Sequence, residues 1–222
     1  MKWTAGLALL LLPACVVFPE VTDRNARILA MGDSVIAWNR EDGASIADAL
    51  ERRLGQPVVD ASVPGAKMRQ DGLRGSLGFS IPEQYRAGRW DAVIVNGGAN
   101  DLLSQCNCTR CDATLDRLVR QDYPALVNRL DDTQVFIVGY YGAAGDRPGR
   151  FNSCDNELQQ MERRLTVLFA DRSNVHVVRV RDAITGRPTL YDNDRVHPSP
   201  AGSRVMAELV ARALVANSSP SR

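Results

Sequence analysis

The sequence is poor in several things that would point to particular functions. Only two histidines, His176 and His197, and two lysines, Lys2 and Lys67, occur in 222 residues, and aromatic side chains make up 6% of the chain. The lysine scarcity carries no functional reading, but the histidine count leaves very few candidates for base chemistry near neutral pH. Charge of one sign is also missing. With 27 basic and 26 acidic residues the formal charge is +1, too little to recruit nucleic acid or acidic lipid electrostatically. No apolar run is long enough to span a bilayer permanently, and there is no internal repeat or low-complexity segment. A G-x-S-x-G nucleophile elbow is absent, as are a G-x-G-x-x-G dinucleotide fingerprint and a phosphate-binding P-loop. What remains, 45% hydrophobic and 24% charged residues, suffices for one well-packed domain and excludes a disordered or fibrous chain.

Residues 1–15 read as an export signal, with a positive start at Lys2, an apolar run from Ala5 to Leu12 and small residues around Ala14. The stretch Leu12-Pro13-Ala14-Cys15 resembles the lipobox at which bacterial lipoproteins are cleaved and acylated, which makes Cys15 a candidate lipid anchor. Pro13 departs from the usual pattern, and an ordinary secretory signal cut nearby is the alternative. The expected location is the bacterial periplasm or envelope, with membrane attachment only through a lipidated Cys15. Cys106, Cys108, Cys111 and Cys154 form an even set, which in an oxidising compartment suggests two disulfides with three connectivities left open. A metal site is the competing reading. It would need the lone, distant Cys154 as fourth ligand, and structural zinc sites normally use two separated pairs, so disulfides are preferred.

Past the signal, short β-rich runs alternate with helical patterns. The runs span residues 27–31, 57–60, 91–96, 134–140 and 174–180, and several are almost continuously apolar, as in Ala92-Val93-Ile94-Val95. Strands buried on both faces require such runs and belong in a parallel sheet. Between them, residues 45–54, 115–130 and 155–170 carry helix periodicity, with Pro124 expected to kink or divide the second. A last helix starts at Pro200 with Ser199 as its cap. This alternation predicts a three-layer α/β/α sandwich with right-handed crossovers. The domain is expected over residues 22–216, followed by a polar tail at 217–222. Glycine-rich segments at 72–78 and 142–149 are candidate borders of a site.

In an open parallel sheet, ligands bind at the carboxyl ends of the strands. The first strand runs into Gly32-Asp33-Ser34, the second reaches Ala61-Ser62-Val63-Pro64-Gly65, and the third leads to Gly97-Gly98-Ala99-Asn100-Asp101. Asp194-Arg195-Val196-His197 precedes the last helix. These are parts for nucleophilic acyl chemistry. Ser34 needs a base to take its proton, and His197, in a polar loop, is the candidate; His176 lies inside a strand pattern and reads as structural. Asp194 is the nearest carboxylate able to orient His197, with Asp192 in reserve. Donors for an oxyanion are available from the amides of Ser34 and Gly65 and the side chain of Asn100.

The four blocks, in this order, resemble those of the GDSL-type, or SGNH, serine hydrolases. The resemblance implies a flavodoxin-like sandwich with a central five-stranded parallel sheet. It implies Ser34 as nucleophile, His197 as base, Asp194 as its partner, and Ser34, Gly65 and Asn100 as the oxyanion hole, with no metal or organic cofactor. The implied activity is hydrolysis of carboxylic or thio esters of small-molecule, lipid or sugar substrates. An O-acetylesterase or O-acyltransferase acting on envelope polysaccharide is the second reading, and a non-catalytic binding module with the same fold is the third. The chain departs from the family after the serine, at Val35-Ile36-Ala37-Trp38-Asn39, where Trp38 either narrows an acyl pocket or packs under the loop. The cysteine-rich insert after Asp101 is a second departure, expected to form one rim of the site.

Overall fold

The computed structural model describes residues 25–130 and 132–217. The export signal, Cys15 and residues 218–222 of the polar tail lie outside them. Five strands, β1 (Ile28–Met31), β2 (Val58–Asp60), β3 (Ala92–Val95), β4 (Gln134–Val138) and β5 (Val175–Val178), form one parallel sheet in the order β2-β1-β3-β4-β5. Leu29 stands opposite Val59 on one side and Val93 on the other, and Ile94 opposite Phe136. Leu29, Val93 and Val135 have no exposed surface, which is why these central strands read as unbroken apolar runs rather than alternating ones. The strand order reverses between β1 and β3, and a crevice forms at such a switch point.

Helices cover both faces, as the alternation of patterns required. On one face Ile46–Leu54 packs against Pro200–Asn217, burying Leu50, Met206 and Val210 between them and the sheet. Ser45 and Asp48 cap the first of these reciprocally, and Gly55 ends it in the left-handed region at φ +67°. Ser199 Oγ accepts from Gly202 N at 3.2 Å, so the expected cap of the last helix is present. On the other face, Asp155–Leu168 packs against the segment that follows the cysteine-rich insert.

Of the two outcomes expected at Pro124 over 115–130, a kink or a division, that segment shows the division, and it starts three residues earlier, at Asp112. Helix Asp112–Arg117 passes into a wide turn at Leu118–Asp122, and helix Tyr123–Arg129 follows with Pro124 in its first turn. The wide turn is one residue longer per hydrogen bond, Tyr123 N bonding Leu118 O, so the missing N–H of Pro124 falls where a new helix starts and no bond is lost. A further helix, Ala99–Cys106, was not visible in the periodicity, because Asn100, Asp101, Ser104 and Gln105 interrupt its apolar face.

The structure joins Cys106 to Cys111 and Cys108 to Cys154, resolving the three connectivities to one. The second bridge spans 46 residues of sequence and fastens the insert to the start of helix Asp155–Leu168. A loop of that length is expected to contribute on the order of 4 kcal/mol by restricting the unfolded chain. The paired substitution Cys108→Ser/Cys154→Ser should therefore lower the free energy of urea unfolding by about that amount, whereas a change within about 0.5 kcal/mol would show that this bridge does not hold the fold.

Candidate active site

Ser34 is placed by the point at which β1 stops. Gly32 follows the strand directly, and a Cβ there would come within 2.7 Å of the Asn96 carbonyl oxygen, so the turn can pass β3 only as glycine. Gln84, fully buried, holds both backbone groups of Gly32: its Oε1 accepts from Gly32 N at 2.7 Å and its Nε2 donates to Gly32 O at 2.9 Å. Asp33 then caps the short helix Ser34–Ala37, its Oδ1 accepting from Val35 N at 2.9 Å, and presents Ser34 at the first helical position. The second oxygen of Asp33 accepts from the Tyr140 hydroxyl at 2.5 Å. Burial is the dominant influence on Asp33 and pushes its carboxyl up to about 6, although the bonds from Tyr140 and Val35 pull the other way.

His197 reaches Ser34 from the other end of the chain. Its Nε2 lies 2.8 Å from Ser34 Oγ, and its Nδ1 lies 2.5 Å from Asp194 Oδ2. The other oxygen of Asp194 accepts from the amides of Val196 and His197 at 2.9 and 3.0 Å. Burial works against its ionisation, but these amides and the imidazole outweigh it and hold the carboxyl below the ordinary carboxylate range. Arg195 turns the chain between them with φ +58° and is fixed by Asp146 at 2.7 Å. Tyr141 OH donates to Val196 O at 2.8 Å.

Trp38 does not line the cavity beside Ser34; it packs on the loop that carries Asp192 and His197. Its ring lies flat on the His197 imidazole, with centroids 3.7 Å apart and planes 7° from parallel. The reserve acid, Asp192, accepts from the Trp38 indole N–H at 2.6 Å and has no contact with His197 Nδ1. It thus fixes the plate against which the imidazole rests.

The donor residues are held by one another. Asn100 Nδ2 donates to Ala66 O at 3.0 Å, and Asp101 Oδ2 accepts from Met68 N at 2.8 Å, so two consecutive residues after β3 clamp the loop that carries Gly65. Gly65 itself stands at φ +79°, where a side chain would be strained. Asp101, with no exposed surface, is paired with Arg117 at 3.0 Å, and Arg117 also bonds Asp122, which in turn binds Arg69 at 2.7 Å. The network neutralises a carboxylate that would otherwise be buried alone. His176, by contrast, lies in β5, with its Nε2 2.9 Å from Gln134 Oε1 and its ring tilted on Phe136; desolvation lowers its pKa.

The glycine-rich segment 142–149 borders the site through Arg147 and Gly149, which meet the backbone of Asn193 and Arg195. Segment 72–78 touches it indirectly, Gly78 O accepting from Gln84 Nε2. The cysteine-rich insert does not line the cavity beside Ser34; its connection is the Cys108–Cys154 bridge, three residues from Phe151, which does. Gln84 and Tyr140 escape sequence reasoning, since each meets a partner far away in the chain with no local pattern.

Residues 30–205 match the model of a family described as GDSL-like Lipase/Acylhydrolase. No curated protein shows significant sequence similarity to the chain. Among solved structures, a lipase/acylhydrolase from Enterococcus faecalis is similar at 19% identity over 88% of this chain and 98% of that one, with a TM-score of 0.62. A carbohydrate acetylesterase from Sinorhizobium meliloti is similar at 18% identity over 85% and 98%, with a TM-score of 0.63. A family two carbohydrate esterase from Clostridium thermocellum is similar at 19% identity over 84% of this chain and 62% of that one, with a TM-score of 0.59.

The position of Asp33 gives a measurable pH dependence. Its carboxyl ionises near 3.8 in the unfolded chain and near 6 in the folded one, so the folded state binds the proton more tightly. Asp33 therefore contributes a loss of stability as pH rises from about 4 to 6, on the order of 3 kcal/mol at about 1.4 kcal/mol per unit. Asp33→Asn, uncharged throughout and still able to accept from Val35 N, should lose this component. Urea unfolding at pH 4 and pH 7 should show the wild type losing stability relative to the variant as pH rises; parallel behaviour of the two would contradict a buried, titrating Asp33.

Proposed function

Because this chain belongs to the GDSL-like lipase/acylhydrolase family and is an ester hydrolase, we propose that it cleaves carboxylic or thio esters through Ser34, His197 and Asp194 by way of an acyl-enzyme. The observation that carries the reading is the unbroken chain of contacts from Ser34 Oγ to His197 Nε2 at 2.8 Å and from His197 Nδ1 to Asp194 at 2.5 Å. Ser34 Oγ attacks the ester carbonyl carbon as its proton passes to Nε2, and the carbonyl π electrons move to oxygen. The amides of Ser34 and Gly65 and one N–H of Asn100 receive that oxyanion. Asn100 has two Nδ2 protons, one of them directed to Ala66 O.

When the tetrahedral intermediate collapses, the bond to the leaving oxygen or sulfur breaks and that atom takes the proton from His197. Water then repeats the sequence against the acyl-Ser34 ester, with His197 again as base, and releases the carboxylic acid. Asp194 fixes the imidazole tautomer and remains ionised, a state its depressed pKa favours. Trp38 and Asp192 hold the ring from its flat side. In this reading the enzyme is exported, which the two cysteine pairs support, and Cys15 is its candidate anchor at an envelope membrane.

Hydrolysis of a series of p-nitrophenyl esters tests the assignment. Ser34→Ala and His197→Ala should each lower kcat about 10⁴-fold or more, as for other residues acting as one catalytic unit, with unfolding midpoints close to wild type. His176→Gln should keep activity within about twofold, since its contacts lie in β4 and β5. Turnover surviving in Ser34→Ala, or lost in a folded His176→Gln, would sink the proposed roles.

A further inference from the structure

A small, partly open cavity of about 40 Å³ lies beside Ser34, walled by Ala99, Tyr140, Tyr141, Phe151, Leu158 and Val196. If each water-sized atom needs roughly 10–15 Å³ of such space, the cavity takes roughly three to four non-hydrogen atoms. An ester held on Ser34 has three arms to place. The carbonyl oxygen goes to the amide donors, and the leaving oxygen must face His197 Nε2, which returns the proton. The acyl arm is left with the space on the Ala99 and Asn100 side, and both residues line this cavity. On the opposite flank, where Trp38 covers the imidazole, a groove of about 480 Å³ runs between Trp38, Asn39, Arg40, Pro64 and Asp192.

Most of the cavity wall is scaffold. Tyr140 and Tyr141 follow β4 directly, and their hydroxyls are committed to Asp33 and Val196 O. Leu158 is buried on helix Asp155–Leu168. Val196 lies in the loop that carries His197 and is tied by its carbonyl to Tyr141; Phe151, partly buried against the core, belongs to the segment that leads from β4 into helix Asp155–Leu168. That segment is pinned by its own turns, Asn152 N to Gly149 O at 3.1 Å and Cys154 N to Phe151 O at 2.9 Å, and by the Cys108–Cys154 bridge. With its backbone so held, Phe151 cannot be carried away from the cavity by a loop movement.

We propose that Phe151 sets the acyl-length limit of the enzyme, the cavity admitting acetyl or propionyl groups and Phe151 excluding longer ones. The inference rests on the Ser34 ester-hydrolase reading and adds to it the size of the acyl group and the residue that fixes it.

The experiment compares kcat/KM for p-nitrophenyl acetate, butyrate and hexanoate in the wild type, Phe151→Leu and Phe151→Ala, with melting curves to establish that each variant is folded. One methylene is worth about 10- to 200-fold in discrimination, so the wild type should prefer acetate over hexanoate by about 100-fold or more. Phe151→Ala should raise the hexanoate-to-acetate ratio at least about tenfold by a gain on hexanoate, with Phe151→Leu moving it the same way by less. A wild type that prefers hexanoate, or folded variants with an unchanged ratio, would overturn the inference and leave the Ser34 reading standing. If no ester is hydrolysed in a Ser34-dependent way, that reading fails and this inference fails with it.

Discussion

Where β1 ends, the C=O of Gly32 still accepts from Val63 N at 3.0 Å, but its N–H is buried beyond the last strand pairing, and a buried amide without a partner costs about 1–3 kcal/mol. Gln84 meets both groups with one side chain, and much of the site depends on that pairing. Its amide does at this point what a neighbouring strand does along the rest of β1, so the chain can leave the sheet at a fixed place and turn into the Asp33-capped helix. Glycine at position 32 is the other half of the constraint, since only a residue without a Cβ lets the turn pass the carbonyl of Asn96. Ser34 is thus positioned by the end of a strand and by a glutamine, with little contribution from its own contacts beyond His197.

The other elements of the site follow the same logic of supported strand ends. Asn100 and Asp101 are consecutive, yet each fastens a different backbone group of the Gly65 loop, one taking the carbonyl of Ala66 and the other the amide of Met68. The segments that leave β2 and β3 are thereby coupled. Asp101 can do this while buried because Arg117 and Asp122 carry its charge outward to Arg69 at the surface. On the base side, Asp194 fixes His197 in the plane of the ring and Trp38 fixes it from the face.

The sheet was legible because its central strands are buried on both faces and have to be apolar throughout, as Ala92-Val93-Ile94-Val95 is. The helices were legible where caps and stripes coincide, at Ser45 with Gly55 and at Ser199 with Pro200. Ser34, His197 and Asp194 could be singled out because they stand in short polar blocks, one at the end of β1 and the other just before the last helix. Helix Ala99–Cys106 was hidden because its polar residues, Asn100 beside Ser34 and Asp101 and Gln105 on Arg117, break the apolar pattern. Pro124 marked a kink or a division of residues 115–130, but the wide turn at Leu118–Asp122 that precedes it has no signal in local propensity. The cysteine pairing, the Gln84 clamp and the seating of Trp38 on His197 all depend on contacts distant in sequence. For Trp38 the residue was noticed, but its partner was one of only two histidines and 159 positions away.

Ser34 and His197 are 163 residues apart, and the base stands immediately before the helix Pro200–Asn217, which seats itself on the helix Ile46–Leu54 near the start of the fold. On the proposed assignment of Ser34 and His197, reactivity belongs to neither half of the domain: a separation of 163 residues has to close before the imidazole reaches the serine oxygen. Until that closure Ser34 is an ordinary alcohol, and hydrolytic power arrives only with the completed fold.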